Sequence, residues 1–148
     1  MKRNLLYLLP LFLLFILGEA CSPKSDPVPV QEPFGTFSGK FRLLVRNPTK
    51  GGYDTVKKDS ALILNLASTG RFAVTGDTAT IHAGSKGVYR YDGVYMGFLD
   101  STYKAVPQTK FHLAGTYAYL YNGTVLAIQR VNAAQDSILD YRFNKTSN

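Results

Sequence analysis

The chain has 148 residues, a formal charge of +7, ten tyrosines, nine phenylalanines, no tryptophan and a single cysteine. That length is enough for one domain, and a lone thiol excludes an internal disulfide framework. Basic residues are spread thinly, with Lys57-Lys58 the one adjacent pair after the first twenty positions, so the surface reads as an ordinary soluble one in preference to a dedicated anion-binding patch.

Lys2 and Arg3 precede LLYLLPLFLLFIL, an apolar run of about the length of a signal-peptide core, too short to span a bilayer comfortably and broken by Pro10. Its end, Gly18-Glu19-Ala20-Cys21, places the only cysteine where it resembles the lipobox of a bacterial lipoprotein precursor. That resemblance implies cleavage before Cys21, lipidation of its thiol and a membrane anchor. The other reading of the same residues is a Gly-x-Ala site for the ordinary signal peptidase, leaving a free N-terminal cysteine. Removal of residues 1–20 takes Lys2, Arg3 and Glu19 with it and lowers the formal charge to +6.

Residues 21–34 carry Pro23, Pro27, Pro29 and Pro33. Such a composition favours extended polyproline II at about 3.1 Å per residue, which makes a tether of roughly 40 Å. By the same resemblance, Ser22 after the cysteine implies sorting to the outer membrane, and hence a periplasmic or surface-exposed protein of the cell envelope.

From Gly35 the period changes to two. Phe37, Gly39, Phe41, Leu43 and Val45 share one face, and Ser38, Lys40, Arg42 and Arg46 the other, until NPTKGG ends the strand. Tyr53 to Lys57 forms either a short polar strand or the lead-in to SALILNLAS, with Lys58-Asp59 between them. RFAVT, TATIHA, GVYRY and VYMGFLD follow, separated by Gly76-Asp77, Gly84 to Gly87 and Asp92-Gly93. Ser101 to Lys110, with Pro107 inside it, is polar and aperiodic and reads as a loop.

FHLAGTYAYLY, TVLAIQRV and SILDYRF then read as a three-strand meander, its first turn an Asn122-Gly123 pair suited to a type I′ hairpin. Eight strands at spacings of about ten to fourteen residues, joined by short links, predict an all-β fold: an eight-stranded antiparallel up-and-down barrel over residues 35–148.

Gly35-Thr36-Phe37, Gly70-Arg71-Phe72, Phe98-Leu99-Asp100, Gly115-Thr116-Tyr117 and Tyr141-Arg142-Phe143, in that order, resemble the small lipocalin-like lipoproteins of bacterial envelopes. Lipocalins proper open on Gly-x-Trp, with the ring under a late-strand arginine that closes the barrel floor. Carried over, this implies that Phe37 takes the aromatic role and Arg130 or Arg142 the cationic one, although Trp is absent. An eight-stranded barrel is just wide enough to be filled by side chains or to hold one small ligand. Its aromatic content leaves both outcomes open.

Ser38, His82, His112 and several aspartates are not grouped by any motif, and no Gly-x-Ser-x-Gly elbow is present. Gly35 to Lys40 mimics a phosphate loop but is one residue short, with Phe41 where Ser or Thr is required. Two histidines thirty residues apart make no metal site, so neither metal nor cofactor is expected. Tyr89-Arg90-Tyr91 reads as cross-strand packing, not a nucleic-acid platform. Lys40, Arg42 and Arg46 at mid-strand argue against a lipid-facing wall.

The expectation is therefore a non-enzymatic, lipid-anchored envelope binding protein that takes a small apolar molecule, a lipid or another protein. The alternative is an inhibitor or accessory subunit acting through its barrel loops.

Overall fold

The computed structural model describes residues 31–104 and 108–148. The apolar leader, Cys21, most of the Pro-rich tether and Pro107 lie outside these. Eight strands run in chain order: β1 Gly35–Asn47, β2 Gly52–Leu66, β3 Arg71–Gly76, β4 Ser85–Tyr91, β5 Tyr95–Asp100, β6 Gly115–Tyr121, β7 Val125–Val131 and β8 Ser137–Ser147. Each pairs antiparallel with its sequence neighbour, and β1 pairs with β8 from Thr36↔Ser147 to Val45↔Ser137. The result is a closed up-and-down barrel, as the spacing predicts. Closure removes the two free edges that an open meander would leave.

Alternation decides which side chains fill it. Phe37 and Phe41 of β1, Leu62, Leu64 and Leu66 of β2, Phe72 and Val74 of β3, Met96 and Phe98 of β5, Tyr117 of β6, Leu126 and Ile128 of β7, and Tyr141 and Phe143 of β8 are all buried in one core. Each such side chain contributes about 1.5–3 kcal/mol on burial. Their rings meet edge-on or tilted, as Phe41 does against Tyr141 and Phe111, both with centroids 5.0 Å away. The barrel interior is thus packed with the protein's own aromatics.

The structure decides between two readings in one place and departs from the sequence reading in three. Tyr53 to Leu66 is one strand, because Arg42↔Lys58 and Phe41↔Asp59 carry the ladder through the Lys-Asp pair. Register shifts at Gly39/Phe41 and Leu43/Leu44 absorb the extra residues, and such bulges bend a strand and sharpen its twist.

TATIHA is not a strand. β3 and β4 pair only from Arg71↔Val88 to Val74↔Ser85, and the chain between them folds over the barrel end. Phe111 to Ala114 is likewise loop, since β6 begins at Gly115. The two loops touch through a parallel bridge, His82↔Phe111.

The Asn122-Gly123 hairpin is not type I′. Positive φ falls on Gly123 alone, at 90°, while the Asn122 side-chain oxygen accepts the N–H groups of Thr124 and Val125. Asp92-Gly93 repeats the arrangement, with Asp92 accepting from Val94 and Tyr95. Glycine at the first central position is the type II′ pattern.

Candidate functional site

The barrel has an entry end, where the chain arrives at Gly35 beside the hairpins at Gly93 and Gly123, and a cap end covered by the loops after β3 and β5. The cap is held by buried acids. Asp59, on the inner face of β2, accepts the His82 N–H at 2.6 Å and the Thr80 hydroxyl at 3.1 Å. Asp100, at the end of β5, accepts from Thr102 N–H at 2.8 Å and from His112 Nδ1 at 2.8 Å. Burial pushes the Asp100 carboxyl up, but the bonds from Thr102, His112 and the Lys86 N–H outweigh it and hold it below the usual carboxylate value. Lys110 Nζ ties the second loop to the first by donating to the carbonyls of Thr78 and Ala79 at 3.0 and 2.6 Å.

His82 hangs from the cap into the core. Its Nδ1 faces the Ala83 carbonyl at 2.6 Å, an oxygen that only accepts, so Nδ1 carries the proton. Burial lowers its pKa to about 4, leaving the ring neutral and Nε2 free to accept from the Tyr141 hydroxyl at 3.0 Å. Burial pushes the Tyr141 phenol well above its ordinary value, so it stays a donor.

The fold therefore brings together what the sequence leaves scattered: each histidine meets its own aspartate, in adjacent loops. Among the described residues neither histidine is hydrogen-bonded to a serine, threonine or cysteine, so no nucleophile–base pair is formed. Ser38 lies exposed on β1, facing away from the core that holds His82. Nor do three or more His, Cys, Asp or Glu side chains of the described residues gather as metal ligands would.

The residues assigned to barrel closure separate. Phe37 lies fully buried at the entry end, edge-on to Tyr121 with centroids 5.8 Å apart. Arg130 points inward at the cap end, its guanidinium 4.9 Å over the Tyr117 ring and donating to the Ala114 carbonyl at 2.7 Å. Arg142 faces outward and bonds Asp140 at 3.1 Å. Neither arginine stacks on Phe37, because β7 and β8 place both away from the entry-end ring. The cation–π closure exists at the opposite end, with Tyr117 as the aromatic.

Among the described residues, concavities lie on the outside of the barrel wall and at its rim. The rim pocket, about 460 Å³, lies between Leu43, Val45, Phe111, Leu139 and Arg130, beside the β7–β8 turn. The second is a notch of about 330 Å³ on β4–β5–β6, formed where Gly97 leaves a gap between Val88, Leu99, Arg90 and Thr116. It sits within an apolar outer wall. Val88 lies directly opposite Leu99, Tyr95 opposite Ala118 and Leu120 opposite Ala127. Leu99 and Leu120 are 72% and 77% exposed. Exposed apolar side chains grouped on one wall mark a candidate place of contact.

The third is a groove of about 590 Å³ along β1 and β2 on the basic side. The alternation could have pointed to the apolar wall, since outward positions in β5 and β6 are leucine and tyrosine where β1 has lysine and arginine. Nothing local marks Asp59 or Tyr141. Comparison of the chain with protein-family models, with curated proteins and with solved structures finds no match in any of the three.

Proposed function

We propose that this is a non-enzymatic, lipid-anchored binding protein of the bacterial cell envelope, and that it takes a protein partner on the outer wall of β4, β5 and β6. One observation carries the reading: the interior is occupied by its own aromatic side chains, while the outer wall exposes Val88 and Leu99 at an open notch and Tyr95 and Leu120 further along β5 and β6. Burial of such side chains at an interface removes apolar area from water at about 25 cal/mol per Å². The lipocalin-like strand order and the lipobox-like Cys21 support the envelope address.

The test is native mass spectrometry and cross-linking of the full chain purified gently from its own envelope. A bare protein mass, with a cross-linked partner that is lost in Leu99→Lys and Leu120→Lys variants, supports the proposal. A reproducible small-molecule adduct that survives those substitutions overturns it in favour of a ligand held at the rim pocket.

A second reading, an inhibitor or accessory subunit, draws on the cap, whose two loops are pinned to each other and so present a rigid surface. The formal charge of +6 after residue 20 disfavours a cationic lysozyme as the target. Unchanged target activity at excess protein would remove that reading.

A further inference from the structure

We propose that the groove along β1 and β2 is a binding site for a multiply phosphorylated ligand, on a wall distinct from the apolar one and independent of it. The register gathers the cations. Lys58 lies directly opposite Arg42, Lys40 directly opposite Arg142, and Lys57 opposite Leu43 beside the second bulge. Lys40, Arg42, Lys57 and Lys58 line a groove of about 590 Å³ that no carboxylate lines.

Asp140 pairs with the two arginines, Arg42 and Arg142, and with none of the lysines. Its side chain has no exposed area, and its two oxygens are taken by Arg42 at 2.6 and 2.9 Å, Gln129 at 2.7 Å and Arg142 at 3.1 Å. It acts as a brace that holds the Arg42 guanidinium in one orientation at the groove wall. Lys40, Lys57 and Lys58 have no acidic partner within 4.0 Å among the described residues. Like charges held this close repel one another, and the repulsion is relieved by an anion with several charges.

The backbone adds to the same point. β3 pairs with β2 only from Leu62 to Leu66, so from Gly52 to Asp59 the outer side of β2 is a free edge. Alternate N–H groups of an unpaired edge face outward and are unsatisfied donors. A preset guanidinium, the ammonium groups of Lys40 and Lys58, that of Lys57 held 5.6 Å over the Phe111 ring, and edge N–H groups match the oxygens of phosphate, which takes bidentate arginine and point-charge lysine together. The groove has the volume of a small-ligand site, but its lining selects charge over hydrophobicity. A phosphorylated lipid headgroup and a soluble phosphorylated molecule both offer that chemistry.

The experiment titrates the full chain at low ionic strength with inorganic triphosphate, and separately with phosphatidylcholine vesicles containing phosphatidic acid. The variants are Lys40→Gln/Lys58→Gln and, as a control away from the groove, Lys86→Gln. Each groove lysine removed is expected to weaken binding about five-fold, and added salt should weaken it further. Amide shifts on triphosphate addition should centre on β1 and β2 near Arg42 and Lys58.

The lipid anchor is common to all variants, so the ratio between them reads the groove. Loss with both probes supports a headgroup as ligand, and loss with triphosphate alone supports a soluble one. Equal binding by wild type and the double variant, or no triphosphate binding at low salt, overturns the proposal. So does a double variant that merely self-associates through β2, because its lysines would then serve only to guard a free edge.

Discussion

Nε2 of His82 lies 3.0 Å from the Tyr141 hydroxyl inside the barrel, and this pair ties the cap loop to the strand that closes the sheet. With the hydroxyl donating, it requires a neutral imidazole. Burial lowers the His82 pKa from 6.5 to about 4, so between those values an unfolded chain takes up a proton that the folded chain refuses. Stability is therefore full above pH about 6.5 and falls as pH drops towards about 4. The loss is about 1.4 kcal/mol per pH unit and about 3 kcal/mol across the window.

Urea denaturation followed as a function of pH measures that slope. His82→Phe should be less stable at neutral pH yet nearly flat over the same range. A wild-type protein whose midpoint does not move between neutral pH and about 5 would refute the assignment.

The barrel itself was legible because its inward positions obey period two almost without break: Phe37 to Val45, Leu62 to Leu66 and Leu139 to Phe143 all face the core or its rim. The cap was not legible. Thr78 to Ala83 has strand-like alternation, but it forms only the single bridge to Phe111, and the Asp59 carboxylate, 21 and 23 residues upstream, takes the Thr80 hydroxyl and the His82 N–H instead. Asp59 looked like a strand break, since a buried acid on an inner face is unreadable without knowing what it will bond. The two surface sites were half legible. Lys57-Lys58 was visible as a pair, but Lys40, Arg42 and Arg142 join it only through the register across β1, β2 and β8.

Arg130 offers a direct test of how the cap end is held. Its guanidinium lies 4.9 Å from the Tyr117 ring centroid and donates to the Ala114 carbonyl. A double-mutant cycle between Arg130→Met and Tyr117→Leu should return a coupling of about 0.5–2 kcal/mol. The same cycle between Arg130→Met and Phe37→Leu should be additive, because Phe37 packs on Tyr121 at the other end. Coupling to Phe37 equal to that with Tyr117 would restore the lipocalin-style floor.

The β1–β8 seam depends on Gly39. A Cβ there would run into the carbonyl oxygen of Arg142 and lie 2.6 Å from the Phe143 Cα, both backbone atoms that cannot swing aside. Gly39→Ala should therefore cost about 1–3 kcal/mol, with Gly39→Val costing more. Gly97, by contrast, has no atom within 4 Å of its ideal Cβ position. Gly97→Ala should stay within about 0.5 kcal/mol of wild type while narrowing the notch between Val88 and Leu99. Thermal unfolding of the two alanine variants side by side decides the matter: equal midpoints would mean that the seam is loose.

Asp140 is buried like Asp59 and Asp100, but it sits beside the groove, and its removal should separate stability from ligand binding. Burial pushes its carboxyl up, but the bonds from Gln129 and Arg42, with Arg142 beside it, outweigh that and hold it below its ordinary 3.8. The folded state thus keeps an ionised carboxylate where an unfolded chain would protonate it. Its contribution is present above the ordinary carboxyl pKa and is lost as pH falls below it, in a window beneath that of His82.

Asp140→Asn removes the charge that two arginines share and should cost about 1–3 kcal/mol, as expected for hydrogen bonds to a charged group. Arg42→Gln should also cost about 1–3 kcal/mol, because it takes both donors from one oxygen of a carboxylate whose side chain has no exposed area. In Asp140→Asn the Arg42 guanidinium loses its brace while the groove gains net positive charge. Triphosphate affinity then reads which matters more: weaker binding by the variant means that the fixed geometry of Arg42 governs recognition, and stronger binding means that charge alone does.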